Sequence, residues 1–163
     1  MAITARTARS STTLPRSQLR VFSVFMQWLG LSAMLNLVWE IGQLPLYAIY
    51  EEGDVATITF AVGHCTAGDV VIAAGTYLVA APVARSGRWP IERPRLGLGA
   101  AIVAGMAYTA FSEWLNVSVR GSWAYAPSMP QVLGIGVAPL LQWLIVPGFT
   151  LLLVRPAGRG RLQ

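Results

Sequence analysis

Four long apolar runs alternate with short polar segments along the chain. The runs cover residues 21–39, 55–84, 96–119 and 131–154. Each has about the length, ~20 residues or more, that carries an α-helix across the ~30 Å hydrocarbon core of a bilayer. Because lipid offers the backbone no hydrogen-bonding partner, a run of this kind is expected to be helical. The pattern therefore predicts an all-α integral membrane protein, a bundle of four transmembrane helices.

Acidic and basic residues are nearly absent from these runs. The first and fourth runs contain none, the second contains only His64 and Asp69, and the third contains only Glu113. Of the 163 residues, 55% are hydrophobic and 12% are charged, whereas roughly 25% are charged in a soluble domain. We therefore expect a basic cytoplasmic tail over residues 1–20, a four-helix transmembrane domain over residues 21–154 and a basic cytoplasmic tail over residues 155–163.

The basic residues, all of them arginine, predict the orientation. Eleven of the twelve lie before the first run, between the second and third runs, or after the fourth. An even number of spans places these segments on one side of the membrane, and the positive-inside rule assigns that side to the cytoplasm. A net charge of +5 indicates nucleic acid in a soluble protein, but here the arginines flank spans. We expect a multi-pass protein of a bacterial inner (cytoplasmic) membrane whose partner is the lipid bilayer and not nucleic acid.

The first twenty residues also share features with a targeting segment. They are basic, rich in Ser and Thr and free of acids, as in a secretory n-region or an organellar transit peptide. The apolar run that follows is longer than a typical signal-peptide core and leads into Asn36, Glu40 and Gln43. We interpret this run as a retained first helix.

Polar side chains recur at helical spacing within the runs and in the few residues that follow them. Asn36, Glu40 and Gln43 are four and three residues apart, which places them on one face of the first helix. The remaining polar positions come from the other three helices: His64, Cys65 and Asp69 from the second, Glu113, Asn116 and Arg120 from the third, and Gln142 from the fourth. Glycines at 97, 99 and 105 of the third run predict close helix packing.

Alternating topology brings these polar residues to a similar depth, in the outer half of the bilayer, with Gln142 deeper. Ionisable groups in spans cost ~2.5–3.5 kcal/mol each on insertion scales and usually face a cavity or a partner. We therefore predict one carboxylate-rich site. Its candidate catalytic residues are Glu40, Asp69, Glu113 and His64, and its candidate substrate-binding residues are Asn36, Gln43, Asn116, Arg120, Trp123, Tyr125 and Gln142.

Two simpler interpretations stay open. Glu113 and Arg120 could form a structural ion pair that locks the bundle, and membrane amides often serve only as interhelical hydrogen bonds worth ~0.6 kcal/mol each. His64, Cys65 and Asp69 have side chains that ligate Zn or Cu, but their spacing matches no known metal motif and the chain has a single His. They are weak candidates for metal ligands, and the cofactor is otherwise unknown from the sequence.

A longer motif occupies the last two runs. It reads Glu113-x7-Gly-x-Trp123-x-Tyr125, followed by Pro139-Leu-Leu-Gln. This resembles the bacterial and fungal carotenoid (lycopene) cyclase domain, which is built of small membrane-helix modules with a Glu, a Gly-x-Trp-x-Tyr element and a following Pro-Glu-Glu. The resemblance covers residues 113–143, and two leucines stand in place of the two acids. It implies site roles for Glu113, Trp123 and Tyr125 only.

Two functions of different class fit these residues. The first is an intramembrane enzyme that acts on a lipid-soluble, isoprenoid- or lipid-like substrate. In such an enzyme, apolar surroundings keep one carboxyl group protonated, and this group donates a proton. A second carboxylate, which Arg120 holds ionised, accepts a proton. Trp123 and Tyr125 then stabilise positive charge with their ring faces. The second is a non-enzymatic accessory subunit of a larger membrane complex, or a homo-oligomeric transporter that binds an ion, a proton or a metal.

Overall fold

The structure is a computed structural model that describes residues 15–154. The predictions for residues 1–14 and for the tail over 155–163 lie outside the described residues. Residues 16–20, predicted to belong to the N-terminal tail, already form the start of the first helix.

Helices dominate the described chain, as predicted. The four longest are α1 (Arg16–Gln43), α3 (Val55–Ala84), α5 (Pro94–Glu113) and α6 (Val137–Leu153), and the two short ones are α2 (Ile49–Glu52) and α4 (Trp89–Glu92). A 3₁₀ turn, Leu44–Leu46, extends α1, and a π-helical turn, Trp114–Val119, extends α5. The only strands between residues 15 and 154 are β1 (Gln131–Val132) and β2 (Ile135–Gly136).

Three of these segments are long and apolar enough to cross a membrane: Arg16–Leu46, Val55–Ala84 and Pro94–Val119. Helix α6 is also apolar but has 17 residues, which at 1.5 Å per residue is about 25 Å. These lengths and compositions are those of a membrane protein.

The predicted start of the last helix, residue 131, was wrong. Residues 131–136 form an antiparallel hairpin in which Gln131 pairs with Gly136 and Val132 with Ile135. The two turn residues, Leu133 and Gly134, have φ values of 54° and 78°. Two consecutive positive φ values are the mark of the tight two-residue turns that join hairpin strands. The helix therefore begins only at Val137, after the hairpin has closed.

Helix α3 has the boundaries predicted from its apolar run, and its start shows why. The Asp54 side chain accepts a hydrogen bond from the backbone N–H of Thr57 (2.8 Å) and caps the helix. Hydrogen bonds from Thr57 also hold the pKa of the Asp54 carboxyl below its ordinary value. The helix ends where Arg85 adopts a left-handed conformation (φ 51°).

The four long helices pack in a ring. Helix α3 packs against α1 and α5, and α6 packs against the same two helices from the other side. Every long helix thus has two main neighbours, and polar residues on the inward faces of α1, α3, α5 and α6 come close enough to meet.

One end of this ring is filled by aromatic rings. Trp28 and Tyr77 contact Trp89 at ring-centroid distances of 4.8 and 5.4 Å. The Tyr77 hydroxyl donates to the Gly87 carbonyl (2.7 Å), and the Trp89 indole N–H donates to the Tyr77 carbonyl (3.2 Å). A Cβ atom at Gly97 would lie 2.1 Å from the Trp89 ring, so α5 packs there because position 97 has no side chain. The polar residues described below lie toward the other end of the helix ring.

Candidate functional site

The side-chain amide of Gln142, on α6, lies at the centre of the polar cluster. Its Nε2 atom lies 2.7 Å from Asp69 Oδ2, 3.0 Å from Asn36 Oδ1 and 3.3 Å from Glu40 Oε1. An amide nitrogen carries two hydrogens, so three acceptors share two donors. Gln142 is 2% exposed and Asn36 is 1% exposed. One buried amide thus joins α6 to α1 and α3.

A second amide, that of Gln43, holds Glu40 from within α1. Gln43 Nε2 donates to Glu40 Oε1 (2.8 Å), and Gln43 Oε1 accepts from the indole N–H of Trp39 (3.0 Å). The spacing of three and four residues places all three side chains on adjacent turns of one helix. Glu40 Oε1 is therefore engaged by two amide donors, one from its own helix and one from α6.

The carboxyl groups of Glu40 and Asp69 approach each other. They come from different helices, and both lie within hydrogen-bonding distance of Gln142 Nε2. A carboxylate can only accept hydrogen bonds, so a bond between two carboxyl groups requires a proton on one of them. The only ion pair between residues 15 and 154 joins Arg88 to Glu92, on the exposed surface. No basic side chain in that range neutralises the pair, so a proton on one of the two groups would relieve the repulsion between them.

The third acid of the cluster, Glu113, is buried and is held by Tyr125 from the loop that follows α5. The Tyr125 hydroxyl donates to Glu113 Oε2 (2.5 Å) and accepts from the backbone N–H of Gly136 (2.9 Å). Burial raises the pKa of the Tyr125 phenol, and the bond to Glu113 raises it further. The phenol therefore stays protonated and remains a donor. Glu113 also interacts electrostatically with Glu40.

The loop that carries Tyr125 is anchored on the end of α1. The backbone N–H of Ala48 donates to the Ala124 carbonyl (3.0 Å), and that of Ala126 donates to the Leu46 carbonyl (2.9 Å). Between these bonds, the rings of Tyr47 and Tyr125 lie 5.6 Å apart. This anchoring keeps Tyr125 beside Glu113.

Replacing Tyr125 by Phe is expected to lower the free energy of unfolding by about 1–3 kcal/mol, because the change leaves Glu113 and the Gly136 N–H unpaired inside the protein. Thermal unfolding in detergent measures the loss. Tyr108→Phe is the matched control, since Tyr108 is 52% exposed and its change is expected to cost less than about 0.5 kcal/mol. If the two variants were equally stable, the hydrogen bond from Tyr125 to Glu113 would not contribute to the free energy of unfolding.

Two predicted members of the site lie elsewhere. His64 is exposed and its ring stacks on Phe60 at 5.6 Å. Asp69 comes five positions after His64. At 3.6 residues per turn, their side chains therefore leave the helix in directions that differ by about 140°. Arg120 is exposed and makes no ion pair with Glu113. The predicted spacing assumed a regular α-helix, but the π-helical turn bonds Arg120 N to the Leu115 carbonyl and changes its direction.

Three further predicted residues lie at the edge of the cluster. Asn116 donates to the carbonyl and hydroxyl of Ser112 (2.9 and 3.3 Å) within its own helix. Trp123 lies beside Glu113, but its indole N–H has no hydrogen-bond partner within residues 15–154. Cys65 is half-buried and close enough to Asp69 and Glu40 for an electrostatic interaction. Over the same range, no three His, Cys, Asp or Glu side chains are arranged to hold a metal ion.

Some residues of the cluster were not predicted. Trp39 supports Gln43, and the Ser32 hydroxyl contacts that of Thr150 (3.5 Å) between α1 and α6. Ser32 lies one turn before Asn36, so the polar stripe of α1 could have been extended to it. In the described chain, Asn36 Nδ2 and Thr109 Oγ1 are buried without a hydrogen-bond partner, which is rare for buried polar atoms. These two atoms can therefore still form a hydrogen bond without breaking an existing one.

No known family model, curated protein or solved structure matches this chain. The resemblance to the carotenoid cyclase domain stays a prediction. Of the residues on which it rests, Glu113 and Tyr125 are hydrogen-bonded to each other.

Proposed function

We propose that this protein is an intramembrane enzyme that performs acid–base chemistry on a lipid-soluble, isoprenoid- or lipid-like substrate. The observation that carries the proposal is the approach of two carboxyl groups from separate helices, the half-buried Glu40 and the buried Asp69, which meet at the amide of Gln142. Buried acids are costly in a membrane and are found chiefly where a function needs them. A pair of acids in unequal surroundings is a typical source of one proton donor and one proton acceptor.

The hydrogen bonds favour different protonation states for the two acids. Glu40 Oε1 is engaged by two amide donors, from Gln43 and Gln142, whereas Asp69 is engaged by Gln142 alone. Donors stabilise the ionised form of a carboxyl group, so Glu40 acts as the base and Asp69 as the acid. Gln142 and Gln43 are positioning residues. Tyr125 holds Glu113, the third acid, at the edge of the same site.

We further propose that α6 is the fourth span of a protein in a bacterial inner membrane, with both termini cytoplasmic. Seventeen residues lie at the short end of the lengths found for transmembrane helices. Arg16, Arg20 and Arg88 line one cavity of about 550 Å³ where α1 begins and α3 ends, whereas Glu40 and Glu113 lie near the opposite ends of α1 and α5. The positive-inside rule puts the arginine end in the cytoplasm and the acids in the outer half.

Replacing either member of the pair, as Glu40→Gln or Asp69→Asn, is expected to reduce turnover by at least about 100-fold, the usual contribution of one acid–base group. Lipid extracts from membranes that contain each variant are compared with wild type by mass spectrometry, because the substrate is lipid-soluble. The expected result is a lipid species whose amount depends on the wild-type protein and on neither variant.

The matched control is Glu92→Gln, an acid that lies outside the cluster and bonds only to Ser86 and Arg88. Ser86 and Arg88 hold the pKa of Glu92 below its ordinary value, so it is ionised and remote from the pair. Glu92→Gln is expected to keep the wild-type lipid profile. Wild-type profiles from both Glu40→Gln and Asp69→Asn would end the enzyme proposal.

The same acid pair would also serve a transporter or an accessory subunit that binds a proton, because no basic residue within 15–154 neutralises it. This second function predicts a different pair of results. Membranes with and without the wild-type protein have the same lipid profile. The protein is purified from its native membrane as an oligomer or in a stoichiometric complex.

A further inference from the structure

An apolar groove of about 500 Å³ runs between α1 and α6 on the outside of the helix ring. Its walls include Val38, Gly42 and Leu46 from α1 and the turn after it, and Ala138, Ile145 and Phe149 from α6. Val38 and Phe149 are 69% and 55% exposed, so the groove is open along the side that faces lipid. An opening of this kind admits a molecule from the bilayer without passage through water.

One residue, Gln43, borders both the groove and the acid pair. Gln43 lines the groove and donates to Glu40 (2.8 Å). Trp39 also lines the groove, and its indole N–H is bonded to Gln43. The polar part of the groove wall is therefore the same amide that positions the proposed base.

We propose that this groove holds the hydrocarbon chain of the substrate and brings its reacting end to Glu40 beside Gln43. This inference rests on the proposed function and defines its substrate class: a molecule with a single flexible hydrocarbon chain, acyl or isoprenoid, and a small polar or unsaturated end. The remaining walls offer no hydrogen bond to a polar ligand. A hydrocarbon chain is therefore the occupant that can be buried there without leaving a polar group unpaired. A volume of about 500 Å³ is that of a pocket for one small ligand.

Gly42 provides a way to fill the groove without touching the acids. A Cβ atom at Gly42 would meet nothing within 4 Å, so a larger side chain there occupies the groove. Gly30, on the same helix, is equally open but does not line the groove. Because both glycines are inside α1, replacing either one has the same favourable effect on helix propensity. Gly42→Phe and Gly30→Phe are therefore matched variants.

The test is photo-crosslinking in liposomes with two probes, palmitic acid and geranylgeraniol, each carrying a diazirine. Labelled peptides are mapped by mass spectrometry, with and without an excess of the same chain lacking the diazirine. We expect saturable labelling of the groove-lining parts of α1 and α6 in wild type and in Gly30→Phe, and at least a tenfold loss in Gly42→Phe. The probe that is competed more effectively identifies the chain as acyl or isoprenoid.

The outcomes separate this inference from the proposed function. Labelling that no excess of chain reduces, or saturable labelling that persists in Gly42→Phe, overturns the groove as a binding site, whatever the acids do. Saturable labelling together with a wild-type lipid profile from Glu40→Gln and Asp69→Asn shows that the groove binds a chain but that the pair does not catalyse. Loss of turnover in Gly42→Phe but not in Gly30→Phe, with both acids intact, supports the two together.

Discussion

Replacing Gln142 by Leu is expected to lower the free energy of unfolding by about 3 kcal/mol, the upper end of the cost of leaving buried polar groups without a partner, because two of the acceptors are carboxyl groups. The amide donates to acceptors on α1 and α3. Leu has a similar size but no donor, so the carboxyl groups of Glu40 and Asp69 lose the amide hydrogen that they accept from Gln142. Unfolding by SDS in mixed micelles measures the difference from wild type.

Two further variants show whether the cause is the lost hydrogen bonds. Leu144→Ala alters the same helix at a side chain that is 48% exposed, and it is expected to cost about 0.5 kcal/mol or less. In the double variant Gln142→Leu with Asp69→Leu, the acid that needs the amide is also gone. The double variant is expected to be at least about 1 kcal/mol more stable than the sum of the single changes predicts. Strict additivity would show that Gln142 does not act on Asp69.

Replacing Gly105 by Leu is expected to lower the free energy of unfolding by about 3 kcal/mol, at the upper end of the cost of overpacking. A Cβ atom at this position would lie 2.4 Å from the Trp143 ring, so α5 and α6 must separate. Because Trp143 directly follows Gln142, the separation also displaces the central amide. The change is measured as stability in mixed micelles and as turnover, which is expected to fall with it.

Gly99→Leu is the matched control on the same helix. A Cβ atom at Gly99 would meet nothing within 4 Å, and the loss of a helical glycine favours the helix by up to about 1 kcal/mol. This variant is expected to be as stable as wild type or more stable. If Gly99→Leu and Gly105→Leu were equally unstable, the cause would be general to glycine in α5 and not the contact with Trp143.

The membrane helices could be predicted because their signal is local. The span over Val55–Ala84 was correct at both ends, since an apolar run between Asp54 and Arg85 needs no knowledge of its neighbours. The polar stripe of α1 was predicted for the same reason. Asn36 and Gln43 share one helix face, and both take part in the cluster.

Predictions that assumed an uninterrupted regular helix were wrong. The hairpin Gln131–Gly136 replaces the first turns of the predicted fourth run, and the π-helical turn Trp114–Val119 directs Arg120 away from Glu113. Gly134 is a local sign of the first, because a two-residue hairpin turn favours glycine. The second has no comparable sign in the sequence of residues 114–119.

By itself, the sequence determined which segments are apolar enough to cross a membrane and which face of α1 is polar, because hydropathy and helical spacing act within one segment. Only the tertiary structure decided that Gln142 meets Asp69 and Glu40, that Tyr125 reaches Glu113 and that His64 does not join them. Those contacts depend on the rotation of each helix about its axis. That rotation is decided by interhelical packing, such as Gly105 against Trp143, between residues distant in the chain.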